Sequence, residues 1–352
     1  MSEKVLMKGN EAIAEGALLA GCRHYFGYPI TPQTEIAAYM AKRMPKVDGV
    51  FLQAESEVAS INMVIGASAA GKRAMTSSSS PGVALKSEGL SYLAGCDLPA
   101  VVVNIQRGGP GLGGIQPSQA DYFHATKGGA HGDFHMLVLA PNSVQEMLDY
   151  TYKAFDLADQ YRITAMILGD GILGQMMEPI DISPKEPAKL PPKDWALTGT
   201  RGERKPNIVN SLYLNPEDLE ALNFQRFERY RQIEEKETLH ETYRTEDAEI
   251  VVVAYGAASR IAKNAIDLAR EGGVKAGLLR PITLWPFPKK PLRELADKVK
   301  AFVVAELSMG QMVEDVRLST ESLRPVYLSA HTGGVVTTPE EILEHIKQAA
   351  AN

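Results

Sequence analysis

The hydrophobic pattern of the first half of the chain alternates between two periods. Apolar runs of strand length recur, and between them apolar residues repeat at helical spacing. The strand-like runs lie at residues 24–29, 49–54, 73–78, 99–106, 135–140 and 164–170. Continuous apolar strands separated by helices are typical of a parallel sheet covered on both faces. This half therefore predicts a doubly wound α/β domain.

Three helices of this half have recognisable ends. The first is predicted to begin with Asn10 as N-cap and to stop at Gly21. The second is predicted to begin with Thr31 as N-cap and Pro32 at the first helical position. The third, at residues 55–71, has apolar or small residues nearly all round, which predicts a buried helix.

The pattern breaks after Glu178, where five prolines within residues 179–192 predict an extended linker. A helix is then expected with Asn215 as N-cap and Pro216 in its first turn. Its charged continuation at residues 231–247 predicts a solvated helix and a hinge.

The C-terminal part of the chain again alternates strand-like and helical segments, which predicts a second, smaller α/β domain. We therefore divide the chain into a first domain, a proline-rich linker with a charged helix, and a second domain, at residues 1–182, 183–246 and 247–352.

Composition excludes several classes of protein. The chain has 352 residues, 45% of them hydrophobic and 23% charged, with a net charge of −6. It has no stripe of Lys and Arg with interleaved aromatics, so no nucleic-acid partner is predicted. No apolar run approaches the roughly 18 residues of a membrane span, and the N-terminus lacks a signal-peptide core. A cytoplasmic protein without membrane contact is expected.

Cysteine and histidine usage argues against a metal site. The two cysteines, Cys22 and Cys96, are far apart in sequence, whereas an iron–sulfur cluster needs about four thiolates. His131 and His135 have the spacing of helical metal ligands, but the glycines around them disfavour a helix. No metal ligand is therefore predicted on this chain.

Four polar or glycine-rich stretches follow strand-like runs, and open α/β sheets hold ligands at the carboxyl ends of their strands. They read "YPITP" at residues 28–32, "ESEVA" at 55–59, "TSSSSPG" at 76–82 and "RGGPG" at 107–111. Each also has a simpler interpretation, as a helix cap, a loop or a surface arginine.

The glycines after Arg107 do not form a dinucleotide fingerprint, because the last glycine is wrongly spaced and Pro110 interrupts the motif. We interpret Arg107 as a clamp for a carboxylate. "GDG" at residues 169–171 resembles the start of a thiamine diphosphate metal motif but lacks the asparagine that completes it. We interpret it as a turn at a strand end.

In this order, the four stretches resemble the pyrimidine-binding domain of 2-oxoacid:ferredoxin oxidoreductases, which are thiamine diphosphate and iron–sulfur enzymes. "LRPITLWPFP" and "VVAELSMGQM" look like the transketolase C-terminal-like second domain of that family. The resemblance covers nearly the whole chain. "GPGLGGIQPSQADYF" with "TKGGAHGD" is most similar to α subunits for 3-methyl-2-oxobutanoate (2-oxoisovalerate), and the 2-oxoglutarate type is a close relative.

The resemblance implies roles for individual residues. Glu57, or Glu55 after a register slip, would lie against N1′ of the cofactor's aminopyrimidine and activate it. Arg107 and Thr31 would bind the 2-oxo acid. Further cofactor contacts would come from Pro29, Ile30, Ser79 and Ser80, within a hydroxyl cluster at Ser77–Ser80.

The resemblance also implies partners, since this chain has neither cluster ligands nor a diphosphate motif. A β subunit would carry the diphosphate and Mg²⁺ half of the site. A small ferredoxin-like [4Fe-4S] subunit and a γ subunit would complete a complex that uses coenzyme A and ferredoxin.

Two alternatives stay open: the same chemistry on 2-oxoglutarate or an aromatic 2-oxo acid, and a non-catalytic scaffold subunit. An NAD-binding protein is disfavoured by the glycine spacing.

Overall fold

The computed structural model describes residues 4–351. Its strands are β1 (Val5–Lys8), β2 (His24–Gly27), β3 (Val50–Gln53), β4 (Ala74–Ser78), β5 (Ala100–Gln106), β6 (Leu137–Leu139), β7 (Thr164–Asp170), β8 (Met177–Ile180), β9 (His240–Tyr243), β10 (Ile250–Val253), β11 (Ala276–Pro281), β12 (Thr283–Trp285), β13 (Ala301–Glu306) and β14 (Val326–Ala330).

A 3-10 helix lies at Met44–Val47, and the α-helices are α1 (Gly9–Leu19), α2 (Thr34–Arg43), α3 (Glu57–Ala69), α4 (Ser80–Leu85), α5 (Ser87–Gly95), α6 (Tyr122–Thr126), α7 (Val144–Tyr161), α8 (Gly171–Gln175), α9 (Pro216–Lys236), α10 (Gly256–Glu271), α11 (Lys289–Ala296), α12 (Met312–Ser319) and α13 (Pro339–Ala351).

Two sheets organise the molecule. The larger has seven strands in the order β12-β6-β7-β5-β4-β2-β3, and the smaller has five in the order β14-β13-β10-β11-β9. The inner strands pair in parallel, and β4, β5 and β7 are buried along their whole length. This confirms the predicted α/β fold, because parallel strands covered by helices on both faces are buried along their length.

Each sheet takes an edge strand that the sequence pattern did not predict there. β12 comes from the C-terminal part of the chain and pairs antiparallel with β6 of the larger sheet. β9 lies in the segment expected to be linker and pairs antiparallel with β11. The expected helix at residues 231–247 is thus wrong beyond Lys236: exposed and half-buried residues alternate along β9, which lies at a sheet edge where one face meets solvent.

Two predicted helix starts are wrong. α1 begins at Gly9 with Lys8 as its cap, and the Asn10 side chain instead donates to the Pro32 carbonyl at 2.7 Å. α2 begins at Thr34 with Gln33 as its cap, so Thr31 is not its N-cap. The reason is a turn before the helix, in which the Gln33 backbone amide donates to the Ile30 carbonyl at 3.1 Å. Because residues 30–33 form this turn, the helix begins only at Thr34.

The prediction that residues 55–71 form a wholly buried helix is also wrong for this chain by itself. α3 packs against β2 and β4, but Val58, Asn62 and Gly66 are exposed at helical spacing. Gly66 leaves open space on this face, which suits close approach of another backbone.

The proline-rich segment runs extended over the first sheet's helices. Lys185 pairs with Asp149 of α7, Lys193 pairs with Asp159, and the Leu197 amide donates to the Ala69 carbonyl. No helix among residues 4–351 is both long and apolar enough to cross a bilayer.

Candidate active site

The carboxyl ends of three neighbouring strands hold the polar stretches singled out in the sequence. We call residues 28–33 after β2 the proline turn, residues 77–80 at the end of β4 the serine loop, and residues 107–117 after β5 the glycine loop. Because these strands are adjacent and parallel, their loops meet at one edge of the sheet.

The proline turn is fastened by Gln33, which is fully buried. Its Nε2 donates to the Tyr28 carbonyl at 3.2 Å, and its Oε1 accepts from Ser77 Oγ at 2.6 Å. Ser77 Oγ also lies 2.6 Å from the Tyr25 hydroxyl. This chain of hydrogen bonds ties the turn to the end of β4. The Thr31–Pro32 peptide bond within the turn is cis.

Glu57 begins α3, behind the N-cap Ser56, whose Oγ accepts from the Ala59 amide at 3.2 Å. The Glu57 side chain is 6% exposed, whereas Glu55 is exposed to solvent. No donor of residues 4–351 hydrogen-bonds to the Glu57 carboxylate, although helix α3 directs its N-terminal amides toward negative charge. A buried carboxylate without donors is open to a ligand.

The serine loop supplies two further open groups, one of which, Ser78 Oγ, lies close to Glu57. Ser78 Oγ and Ser79 Oγ are buried, and no donor or acceptor of the described chain reaches them. A Cβ placed on Gly82 would lie 2.6 Å from Glu57 Oε1 and closer still to Ser78 Oγ. Glycine at 82 therefore lets the carboxylate and the hydroxyl approach the backbone of α4.

Ser80 joins the serine loop to Arg107 and Asp121. Its Oγ donates to Asp121 Oδ2 at 2.5 Å and accepts from the Arg107 amide at 3.0 Å. Asn104 Nδ2 donates to the same Asp121 oxygen at 2.9 Å, and the Ser80 amide donates to Asn104 Oδ1 at 3.0 Å. These bonds hold the Asp121 carboxylate at the strand ends.

Arg107 reaches across to the proline turn. Its Nη1 donates to the Thr31 carbonyl and its Nη2 to the Leu112 carbonyl, both at 3.0 Å. Its Nε is buried and has no partner within residues 4–351. The guanidinium therefore keeps donors for an anion, and Thr31 beside it is exposed.

A cavity of about 600 Å³ opens beside Arg107, between the glycine loop and the second sheet's loops. Its walls include Pro81, Ala84, Pro110 and Met309, and its polar groups come from Ser80, Arg107, Asp121, Gln311 and Thr332. Arg107 is the one cation among the residues that line it.

The second sheet closes this cavity through reciprocal hydrogen bonds. Gln119 bonds to the Leu307 amide at 3.1 Å and to the Tyr255 carbonyl at 2.9 Å. Gln311 donates to the Ala120 carbonyl at 2.6 Å and accepts from the Phe123 amide at 2.7 Å. These bonds fix the segment that carries Asp121.

The structure thus brings Thr31 to Arg107, Arg107 to Ser80, and Glu57 to the serine loop. Pro29 is exposed and Ile30 half-buried in the proline turn. Sequence reasoning missed Gln33, Asp121 and a buried lysine, Lys86, whose Nζ donates to the Glu57 carbonyl at 3.3 Å. A lysine inside an apolar, glycine-containing helical segment was the signal that could have pointed to Lys86.

No cluster of three His, Cys, Asp or Glu side chains that could hold a metal occurs in the part of the chain that the structure describes. His135 instead stacks on the Trp285 ring, with centroids 4.6 Å apart. Burial lowers the pKa of His135, which suits this aromatic contact.

Comparison with known proteins gives a consistent result. Residues 15–252 match the model of the pyruvate flavodoxin/ferredoxin oxidoreductase family, thiamine diphosphate-binding. Residues 248–342 match core domain II of pyruvate:ferredoxin oxidoreductase.

Two curated relatives align over nearly the whole chain. Ketoisovalerate oxidoreductase subunit VorB of Methanothermobacter marburgensis is 51% identical, over 98% of this chain and 97% of that protein. 2-Oxoglutarate synthase subunit KorA of Methanothermobacter thermautotrophicus is 37% identical, over 98% of this chain and 99% of that protein.

A solved structure has the same fold. The 2-oxoglutarate:ferredoxin oxidoreductase of Magnetococcus marinus superposes with a TM-score of 0.90 at 30% identity and covers 99% of this chain. This chain spans 65% of that chain. Together with the geometry of the strand ends, these matches show that the chain belongs to the thiamine-diphosphate-binding pyruvate flavodoxin/ferredoxin oxidoreductase family.

Proposed function

We propose that this chain is the α subunit of a 2-oxoacid:ferredoxin oxidoreductase that converts 3-methyl-2-oxobutanoate, coenzyme A and oxidised ferredoxin into acyl-CoA, carbon dioxide and reduced ferredoxin. The observation that carries the substrate choice is the cavity with one cation, Arg107, and apolar walls. VorB of M. marburgensis, a ketoisovalerate oxidoreductase subunit by name, agrees with this choice.

The residues present fit the aminopyrimidine of thiamine diphosphate. The Glu57 carboxylate has no donor from the described chain, and the buried hydroxyls of Ser78 and Ser79 lack partners. Such groups are costly in a core and are expected to meet a ligand. When bound, thiamine diphosphate supplies a nucleophilic carbon and an electron sink for decarboxylation of 2-oxo acids.

Glu57 would share a proton with ring nitrogen N1′, because it is the buried carboxylate at the start of α3. Glu55, the alternative candidate for this role, is exposed to solvent, which supports Glu57 as the carboxylate that contacts the ring. Ser79 and Ser80 would border the cofactor, as would Pro29 and Ile30 of the proline turn.

Arg107 would bind the substrate carboxylate with the donors that Thr31 and Leu112 leave free. The Thr31 hydroxyl would contact the 2-oxo group. A branched aliphatic side chain would pack on Pro81, Ala84 and Met309. A dicarboxylate such as 2-oxoglutarate would place its second charge in the cavity without a cation, which is costly.

The missing half of the site would come from other subunits. A β subunit carrying the diphosphate and Mg²⁺ would dock on the exposed face of α3, since that face begins at Val58, which is exposed, apolar and next to Glu57 in the sequence. A small ferredoxin-like [4Fe-4S] subunit and a γ subunit would provide the electron path.

The test is substrate competition in the native complex. Reduction of ferredoxin that depends on coenzyme A is measured with 3-methyl-2-oxobutanoate, 2-oxoglutarate and an aromatic 2-oxo acid. We expect kcat/KM for the branched acid to exceed that for 2-oxoglutarate by about 100-fold or more. Equal or higher kcat/KM for 2-oxoglutarate would overturn the substrate choice.

A variant tests whether the lack of a second cation in the cavity disfavours 2-oxoglutarate. Met309 lines the cavity and is mostly exposed, so Met309→Lys should be accommodated. It is expected to raise kcat/KM for 2-oxoglutarate about fivefold through a partly solvated ion pair. Met309→Gln, which is polar but neutral, is the matched control and should give no such gain.

A further inference from the structure

Helix α9 carries a stripe of four side chains along an open groove. Glu220, Phe224, Phe227 and Arg231 follow one another at steps of four, three and four residues, which places them on one face of a helix. All four line a groove of about 510 Å³ on the outside of α9. We call these four residues the α9 stripe.

The centre of the stripe is apolar and open on its outer side. Phe224 is 67% exposed. Phe227 is half-buried, because it packs on the His135 ring with centroids 5.8 Å apart. In the segment that leads into α9, Leu212 and Leu214 are also exposed. An apolar surface of this kind marks a contact with another molecule.

The ends of the stripe carry opposite charges. Glu220 is exposed near the start of α9 and makes no ion pair within residues 4–351. Arg231, three turns further on, pairs with Glu228 of the same helix at 2.6 Å, and both side chains are more than half exposed. An exposed pair of this kind contributes little stability, so Arg231 can take another partner.

The order acid, aromatic, aromatic, base is complementary to itself when it is reversed. A second copy of α9 can lie antiparallel to the first, across a two-fold axis at the middle of the stripe. Glu220 then faces Arg231 of the second copy, and Phe224 faces Phe227 of the second copy. Because a two-fold contact uses the same surface of both copies, each favourable pair occurs twice.

Other charges of α9 are satisfied within the chain. Arg226 and Arg229 both pair with Asp97, at 3.0 and 2.5 Å. Glu234, near the C-terminal end of the helix, pairs with Lys289 of α11 at 3.5 Å. These groups therefore do not compete for the charged ends of the stripe.

We propose that the α9 stripe is the contact through which two copies of this chain associate, as an antiparallel pair of α9 helices related by a two-fold axis. Phenylalanine rings form the centre of this contact, and an ion pair closes each end. A helix of 21 residues is about 30 Å long. The contact that it makes alone is smaller than the roughly 800 Å² per partner of a standard interface, so we expect a dissociation constant in the micromolar range.

Self-association of the full chain is measured by sedimentation equilibrium over a range of concentrations, and the native complex is measured in parallel. Wild type should form a dimer. Glu220→Arg and Arg231→Glu each place like charges at both ends of the contact and should raise the dissociation constant at least about 100-fold. Phe224→Ala should raise it at least about tenfold, because it removes the central apolar contact.

Charge exchange tests the antiparallel geometry itself. The double variant Glu220→Arg/Arg231→Glu restores an opposite pair at each end and should dimerise with the dissociation constant of wild type. An equimolar mixture of the two single variants should form a heterodimer, because each end then joins an arginine to a glutamate. A parallel pair of helices, in which each residue faces its own copy, predicts no rescue by the double variant.

Lys347→Glu is the matched control. Like Arg231→Glu, it reverses one charge of an exposed pair three residues apart, here Lys347 with Glu344 on α13. It should leave the dissociation constant unchanged. Because Glu220, Phe224 and Arg231 are exposed, the Tm of each stripe variant should stay close to that of wild type.

A wild-type chain that stays monomeric, by itself and in the complex, would overturn the proposal. Where only the complex dimerises, the same variants are compared in it. Single variants that dimerise as tightly as wild type, or a double variant that does not recover, would also contradict it. If Phe224→Ala abolishes copurification of another subunit while dimerisation persists, the stripe binds that subunit and the proposal is wrong. Should one single variant fail to fold, the other and Phe224→Ala decide by the same criteria.

Discussion

At the residue scale, the site depends on polar groups that the fold leaves without partners. Glu57 Oε1 and Ser78 Oγ lie together beside Gly82, Ser79 Oγ is buried without a partner, and Arg107 keeps its Nε free. A core normally satisfies such groups, since an unpaired buried donor or acceptor costs about 1–3 kcal/mol. Their grouping at the strand ends is therefore a stronger indication of a ligand than any one residue.

Glu57→Gln is expected to lower kcat of the assembled complex by about 10²–10⁴-fold, because an amide cannot share the carboxylate's proton with the ring. Steady-state ferredoxin reduction measures this. Glu55→Gln is the matched control, and its exposed side chain should tolerate the change. The opposite ranking would assign the role to Glu55.

Gly82→Ala is expected to weaken thiamine diphosphate binding by at least about tenfold. The added Cβ would lie 2.6 Å from Glu57 Oε1 and displace the carboxylate. Gly272→Ala, at a helix end with a φ of −78° that suits alanine, serves as the control. Unchanged calorimetric affinity in Gly82→Ala would show that Glu57 can move freely.

At the element scale, the proline turn and α3 have opposite surroundings. The turn is held on the inside by Gln33, by the Asn10 side chain and by Arg107. α3 instead offers an outer face that nothing in residues 4–351 covers, and β3 is an exposed edge strand of the same domain's sheet. An uncovered edge strand beside an apolar helix face is a surface suited to another chain.

Val58→Glu is expected to reduce copurification of the β subunit strongly, because it places a charge on the exposed apolar face of α3. The Tm of the isolated chain should change little, since Val58 is 44% exposed. Leu268→Glu, on α10 and 39% exposed, is the control and should assemble normally. Full assembly of Val58→Glu would exclude α3 as the docking face.

At the scale of the whole molecule, side chains from distant parts of the sequence join the two sheets. Arg280 of β11 makes a bidentate ion pair with Glu146 of α7, with both N–O distances at 2.8 Å. The Asp170 carboxylate accepts from the Ala257 amide at 2.9 Å and also caps α8. The active-site cavity lies between the parts that these bonds hold together.

Glu146→Gln is expected to destabilise the chain by about 3–5 kcal/mol, because it removes one partner of a buried arginine. Although burial alone would raise the pKa of Glu146, the bonds from Arg280 lower it. The stability from this pair is therefore complete above the unfolded carboxyl's pKa and is lost as the pH falls through the lower folded value. Denaturant unfolding of wild type against pH should show this acid loss, and Glu146→Gln should lack it.

The sequence by itself determined the α/β class, the order of the strands that carry the site, and the candidates Glu57, Arg107 and Thr31. It could do so because strand and helix periods are local and because residues at strand ends follow directly from that pattern. Two results stay predictions: the division of the chain into domains at residues 182 and 246, and the individual roles of the site residues.

Only the tertiary structure decided which side chains meet. Lys86 reaches Glu57 across 29 residues, and Gln311 reaches Ala120 across 191, separations over which no local pattern carries information. β12 joins the first sheet for the same reason: its pairing depends on where the second sheet docks. The hydrophobic pattern specifies elements, whereas the partners of buried polar groups are specified only once packing has brought those elements together.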